Sequence, residues 1–162
     1  MQLRHAVITF TLLTGPAALA AAPTDADRSF LMDEGQGAQY EIAIAKLAAT
    51  KATKPAIRTY AKKIVADHAQ ANPALMKLTK AEGVAVPPGL ASADQAKLDK
   101  LKGLSGTDFD KMYVDEITRI NADDEKSFAK ESKNTQVPQI KAYVQKFASM
   151  DARHKQMGEA LK

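Results

Sequence analysis

Apolar side chains recur every three or four residues along four long segments of this chain, which is the spacing of one face of an α-helix. The segments cover about 25–50, 55–82, 107–132 and 138 to near the C-terminus. Alternation typical of β-strands is nearly absent, and a proline suited to the first helical turn stands at 55 and at 138. The sequence therefore predicts an all-α domain built on four long helices.

The stretches between these helices predict how they are connected. Residues 51–54 separate helices 1 and 2, and residues 133–137 separate helices 3 and 4, so each pair is expected to form an antiparallel hairpin. The stretch from about 83 to 106 contains a Pro-Pro-Gly turn and a short amphipathic segment around Leu101. Two antiparallel hairpins joined by one long crossover with a short extra helix are the arrangement of a ferritin-like four-helix bundle.

Local signals refine the helix boundaries. Thr24 or Asp25 is the expected cap of helix 1, and Pro73 predicts a kink inside helix 2. At the start of helix 3, Thr107 and Asp110 resemble a capping box in which Asp replaces the usual Glu.

Residues 1–20 have the pattern of a secretory signal peptide. Arg4 precedes the apolar run Ala6–Leu13, and Ala18-Leu19-Ala20 matches a small-residue cleavage site. The apolar run is shorter than the roughly 20 residues that span a bilayer, and no second such run follows. An uncleaved N-terminal anchor is the alternative. We therefore expect residues 21–162 to form one exported domain, periplasmic or secreted or associated with the outer membrane, with no transmembrane span after signal removal.

Composition excludes several classes of function. The chain has no Cys, which excludes thiol catalysis, Cys-ligated zinc and iron–sulfur clusters. Its formal net charge of +4 comes from basic residues interleaved with acids, and no Arg/aromatic cluster indicates a nucleic-acid partner. Phosphate-binding loops and the G-x-S-x-G and H-E-x-x-H motifs are absent from the sequence. No catalytic or cofactor-binding residue is predicted, and a non-enzymatic protein is favoured.

The predicted inward faces nevertheless carry ionisable residues at mid-length. Glu41, His68, Asp124 and His154 fall on the inner stripes of helices 1 to 4, and Asp151 lies one turn before His154. Buried carboxylates are costly unless they are paired or bound to a metal. Carboxylates and imidazoles are ligands that Fe, Mn or Zn accept. These five residues are therefore the candidate metal ligands.

A structural polar core would explain the same residues without a metal. Glu41–His68 and Asp124–His154 would then be buried ion pairs or hydrogen bonds that fix the helix register. Both interpretations remain open from the sequence.

The order and spacing of several short pieces resemble a bacterial family known as domain of unknown function 4142. The resemblance extends from about Arg28 to Leu161. It rests on Phe30, Gln36-Gly37 and Glu41, then Asp67-His68 and Ala71-Asn72, then Gly83, Pro87 and Phe109-Asp110, and finally Tyr113, Pro138, Ile140, Phe147 and His154. Members are exported, often labelled outer membrane proteins, and assigned a ferritin-like helical fold. The resemblance implies the same fold and location here, and no established activity.

Three positions depart from the patterns that the resemblance implies. A ferritin-type di-iron centre needs Glu-x-x-His on two helices, but Val65 stands three residues before His68, and Asp151 replaces the second Glu. Asn121 stands where family members commonly carry a His. A single metal, or none, is therefore expected in place of an intact di-iron centre.

The sequence thus predicts an exported ferritin-like bundle of unknown biochemical activity with an envelope stress or interaction role. The alternative is a metal-binding or oxidoreductase bundle with an incomplete carboxylate and His site. Its partner is not predicted beyond a second copy of the chain or a component of the envelope.

Overall fold

A computed structural model describes residues 21–162 and contains five α-helices. They are α1 (Asp25–Lys51), α2 (Pro55–Ala81), α3 (Ser92–Gly103), α4 (Gly106–Asn134) and α5 (Pro138–Glu159). No β-strand occurs among these residues, which confirms the all-α prediction. The predicted signal peptide, residues 1–20, lies outside the described residues. None of the five helices combines the length and apolar character needed to cross a membrane.

The four long helices pack as two antiparallel hairpins. Arg28, near the start of α1, donates a hydrogen bond to the carbonyl of Glu82, just after the end of α2, at 3.1 Å. Lys155 on α5 likewise reaches Glu125 on α4 at 2.8 Å. The two hairpins then contact each other, α1 against α4 and α2 against α5. Each long helix therefore packs against two of the others.

The crossover between the hairpins runs alongside α1. Its first part lies near the middle of α1, where the Gln36 side-chain amide donates to the Pro87 carbonyl at 2.7 Å. Its last part reaches the C-terminal end of α1, where Lys51 donates to the Lys102 carbonyl. The short helix α3 therefore lies beside α1 and α4, and it accounts for the fifth helix of the fold.

Apolar side chains form two core clusters, one toward each end of the long helices. One cluster includes Ile44, Ile64 and Ile117, and the other includes Phe30 and Phe128. Along α2 and α4, the inward-facing polar residues His68, Asn121 and Asp124 come between the residues of the two clusters. The interior is thus apolar at both ends, with a polar layer in the middle.

The capping box predicted at the start of helix 3 is wrong. The helix α4 begins at Gly106, whose φ of +60° is readily adopted by glycine, and no side chain caps it. Asp110 instead accepts hydrogen bonds from the backbone N–H groups of Thr53 and Lys54 at 2.8 and 3.0 Å. It therefore fixes the α1–α2 connection from across the interface.

The other local signals concern α1 and α2. Thr24 and Asp27 form a capping box at the start of α1. The helix α2 continues through Pro73 to Ala81.

Candidate functional site

All four long helices contribute buried polar side chains to the middle of the molecule. Five of these side chains are exposed by 3% or less: Glu41, His68, Asn121, Asp151 and His154. Glu34 and Asp124 border them and are half-buried. We call these seven residues the polar layer. It contains four of the predicted metal ligands as fully buried groups, with the fifth, Asp124, at its edge.

Glu41 is the centre of one group of contacts in the polar layer. Its Oε2 atom accepts a hydrogen bond from the side-chain amide of Asn121 at 3.1 Å. The same oxygen lies 3.6 Å from Nε2 of His68, which is a charge contact longer than a hydrogen bond. The predicted Glu41–His68 pair is thus present as a close approach, and Asn121 provides the hydrogen bond.

His154 belongs to a second group, with a partner that the sequence analysis did not select. Its Nε2 atom lies 2.8 Å from Oδ2 of Asp67 on α2, so the predicted Asp124–His154 pair is replaced by Asp67–His154. Asp67 is held in turn by Lys63, whose ammonium lies 2.7 Å from each carboxylate oxygen. Asp124 instead lies beside the carboxyl group of Glu41. Packing of α2 against α5 brings Asp67 to His154.

Burial and mutual repulsion raise the pKa values of three acids in the polar layer, Glu34, Asp124 and Asp151. Burial, followed by the charges of Asp151 and Glu41, raises the pKa of Glu34 to about 8. Burial and the Glu41 carboxylate raise the pKa of Asp151 to about 7 and also raise the pKa of Asp124. Near neutral pH, these groups therefore retain protons that exposed carboxylic acids would have released.

The two imidazoles respond differently to their surroundings. Burial alone would lower the pKa of His68, but the nearby Glu41 carboxylate outweighs burial and leaves that pKa raised. For His154, burial dominates over the opposing hydrogen bond to Asp67, and the pKa is lowered. The environment thus favours a charged His68 and a neutral His154.

Several ligand-type atoms of the polar layer are buried without a hydrogen-bond partner among residues 21–162. They are Nε2 of His68, Nδ1 of His154, Oδ2 of Asp151 and Oδ1 of Asn121. A buried polar atom left unpaired costs about 1–3 kcal/mol. The polar layer is therefore richer in ligand atoms than its own hydrogen bonds consume.

The side-chain positions do not form a complete metal-ligand set. Within the described part of the chain, no three His, Asp or Glu side chains converge as a group that could hold a metal ion. The rings of His68 and His154 lie 6.1 Å apart, centroid to centroid. One turn before His68, α2 presents Val65, so a ferritin-type two-metal centre does not fit. The metal-ligand assignments of Glu41, His68, Asp124, Asp151 and His154 stay predictions.

One of the two further acids in this region, Glu34, could have been found from simple spacing, whereas Asp67 could not. Glu34 precedes Glu41 by seven residues, which places both on one helix face, and the Tyr143 hydroxyl donates to Glu34 at 3.2 Å across the interior. Asp67 precedes His68 and follows Lys63 by four residues, the spacing of a helix ion pair. No sequence signal indicates that Asp67 turns toward α5.

Comparison with known proteins gives one match. The family model described as a domain of unknown function, DUF4142, matches residues 13–161. This chain belongs to the DUF4142 family. The match extends over all five helices and confirms the resemblance drawn from the sequence. No curated protein and no solved structure matches the chain. The DUF4142 description assigns no activity, so any function must be argued from the polar layer itself.

Proposed function

We propose that this DUF4142 protein is an exported, ferritin-like helical protein whose polar layer binds one divalent transition metal ion, without catalysing a reaction. The observation that carries the proposal is the set of unpartnered ligand atoms, Nε2 of His68, Nδ1 of His154 and Oδ2 of Asp151, buried beside further carboxyl groups. Nitrogen and oxygen donors of this kind suit Fe, Mn or Zn.

Helix connectivity supports the ferritin-like part of the proposal. Two antiparallel hairpins are joined by a crossover that begins after α2 and ends before α4, with α1 packed on α4 and α2 on α5. Ferritin-like proteins share this connectivity and place their metal sites in the middle of the helices. Export is supported by the signal-peptide pattern of residues 1–20. An envelope stress or interaction role would follow from that location.

The charge balance of the polar layer supports cation binding. Raised pKa values of Glu34, Asp124 and Asp151 mean that protons neutralise acids that are close together. A divalent cation would supply that neutralisation in place of the protons and would act as a Lewis acid when bound. Binding would require carboxyl groups to turn toward the imidazoles, because no three ligands converge as the residues stand. It would also require His68 to release its ring proton, because a charged imidazole has no lone pair for a metal.

A purely structural polar layer is the second candidate. The hydrogen bonds from Asn121 to Glu41 and between His154 and Asp67 favour it, because they satisfy part of the layer without any ion. The two candidates differ in one measurable property, which is bound metal.

The test is the metal content of the exported protein, purified without a polyhistidine tag and exposed to Fe²⁺, Mn²⁺ or Zn²⁺ followed by gel filtration. We expect one ion per chain by elemental analysis, and loss of that ion in the His68→Ala/His154→Ala double variant. Circular dichroism would verify that the variant stays helical. If the wild type holds only a trace of metal and the double variant retains the same trace, metal binding is contradicted and the purely structural polar layer remains.

Export has its own test. The expected result is release of the protein by osmotic shock, with an N-terminus at Ala21. An intact residue 1 on membrane-bound protein would instead support the uncleaved anchor.

A further inference from the structure

We propose that Asp67 positions His154 so that Nδ1 is the nitrogen that His154 offers to a cation in the polar layer. The inference rests on the proposed function where it concerns the metal. The tautomer that it requires can be measured on metal-free protein, so the two can fail separately.

The Asp67–His154 hydrogen bond determines where the imidazole proton lies. Oδ2 of Asp67 is 2.8 Å from Nε2 of His154, and Lys63 donates to both oxygens of the same carboxylate. An ionised carboxylate accepts hydrogen bonds only, so the imidazole proton must be on Nε2. A neutral imidazole carries one ring proton, which leaves a lone pair on Nδ1.

The surroundings of His154 favour the neutral ring and keep Nδ1 away from solvent. The residue is only 1% exposed, which makes the doubly protonated ring costly. Nδ1 is buried and has no hydrogen-bond partner among residues 21–162. The Tyr60 hydroxyl donates to the main-chain carbonyl of His154 at 2.8 Å, which ties this turn of α5 to α2.

Two residues close to His154, His68 and Asp151, also carry buried ligand-type atoms without a hydrogen-bond partner among residues 21–162. Nε2 of His68 is also buried and unpartnered, and the two rings are 6.1 Å apart between centroids. Asp151 contributes the unpartnered Oδ2 from the preceding turn of α5. Asp67 thus occupies Nε2 of His154, and the other ring nitrogen, Nδ1, remains buried and unpaired in the polar layer.

This arrangement matches the chemistry of carboxylate–histidine pairs beside metals. A carboxylate that accepts the proton of one ring nitrogen fixes the tautomer and raises the basicity of the other nitrogen. Asp67 would therefore be a positioning residue and not a ligand, with Lys63 holding its carboxylate in place.

Nitrogen-15 NMR of histidine-labelled, metal-free protein tests the tautomer. We expect His154 to be protonated on Nε2 in the wild type and to become a mixture of tautomers in Asp67→Asn. The matched control is Asp115→Asn, because Lys111 and Asp115 form the same four-residue pair at 2.7 Å with no histidine bonded to it. Protonation on Nδ1, or an Asp67→Asn spectrum identical to that of the wild type, would overturn the inference.

Zinc binding, measured by competition with a chelator, tests the consequence. Asp67→Asn should weaken Zn²⁺ binding about 10–100-fold, with partial recovery in Asp67→Glu and no change in Asp115→Asn. Equal affinity in wild type and Asp67→Asn overturns the positioning role but keeps metal binding. If the wild type binds no zinc, the proposed function fails, and the NMR spectra alone decide whether Asp67 sets the tautomer. If Asp67→Asn fails to fold, Lys63→Met replaces it. We then expect a smaller change toward mixed His154 tautomers and a smaller loss of zinc affinity.

Discussion

At the scale of single residues, buried acids in this protein perform distinct tasks that depend on which donors face them. Asp110 is 3% exposed and receives two backbone N–H groups from the α1–α2 connection. Asp151 has an oxygen with no partner among the described residues. Equal burial therefore has opposite consequences: Asp110 stabilises the connection, whereas Asp151 holds a proton.

Replacing Asp110 by Asn should destabilise the fold. The amide keeps one acceptor oxygen, but its NH₂ group would face a backbone N–H, leaving buried donors unpaired. We expect the free energy of unfolding to fall by about 1–3 kcal/mol, measured by urea denaturation. Asp108→Asn, an exposed acid in the same turn of α4, should change it by less than about 1 kcal/mol. Equal effects of the two variants would contradict the role of Asp110 in holding the α1–α2 connection.

At the scale of the elements, helix existence and order could be predicted because their signals are local. Pro55 and Pro138 start helices where the sequence predicts, and the crossover includes the predicted short helix α3. Side-chain pairing could not be predicted in the same way. Whether His154 contacts Asp67 or Asp124 depends on how α5 is rotated about its axis relative to α2 and α4. Apolar periodicity shows which face of α5 points inward, but it does not determine the rotation precisely enough to choose between two neighbouring side chains.

The contact between the crossover and α1 provides a test at this scale. A Cβ atom at Gly35 would lie 2.6 Å from Cγ2 of Val86, whereas one at Gly37 would meet nothing within 4 Å. Gly37→Ala should therefore stabilise the protein by up to about 1 kcal/mol through helix propensity. Gly35→Ala should be less stable than Gly37→Ala by at least about 1 kcal/mol, because Val86 is stiff and must move.

A double variant checks that Val86 is the cause of the Gly35→Ala effect. Val86→Ala removes the methyl groups that the new Cβ would meet. Val86→Ala should therefore be less destabilising in the Gly35→Ala background than in the wild type. Thermal denaturation of the four proteins gives the coupling. Strict additivity of the two substitutions would show that the crossover does not press on α1 at this point.

At the scale of the whole molecule, raised pKa values occur both in the polar layer and near one end of the helices. Burial raises the pKa of Glu131 on α4 to about 7, with the neighbouring Asp27 of α1 adding to the effect. The pKa values of Glu34 and Asp151 are also raised. Folding therefore takes up protons near neutral pH, and the protein is expected to be stabilised by mild acid. Asp27 contributes to the pH dependence of stability with the opposite sign, because its pKa is lowered to about 2.

The sign of the resulting pH dependence follows from linkage. A group with a raised folded pKa stabilises the fold fully below its unfolded value, and this contribution is lost as the pH rises through the folded value. For Glu131 the loss extends from about pH 4.5 to about 7, and for Glu34 it continues to about 8. The stability contributed by Asp27 disappears only as the pH falls from about 4 toward 2. Of the two buried histidines, His68 has a raised pKa and adds to the trend of the acids, whereas His154 has a lowered pKa and opposes it. The melting temperature should thus be higher at pH 5 than at pH 8.

Glu131→Gln isolates one contribution to this slope, because glutamine keeps the shape of the side chain but cannot ionise beside Asp27. Relative to the wild type, the variant should lose less stability between pH 5 and pH 8, by on the order of 2 kcal/mol. The exposed Glu159→Gln should follow the wild-type curve. Part of the slope must persist in Glu131→Gln, since Glu34 and Asp151 still titrate. A wild-type melting temperature that rises from pH 5 to pH 8 would contradict net proton uptake on folding, because the three acids all contribute with the same sign and outnumber the opposing His154.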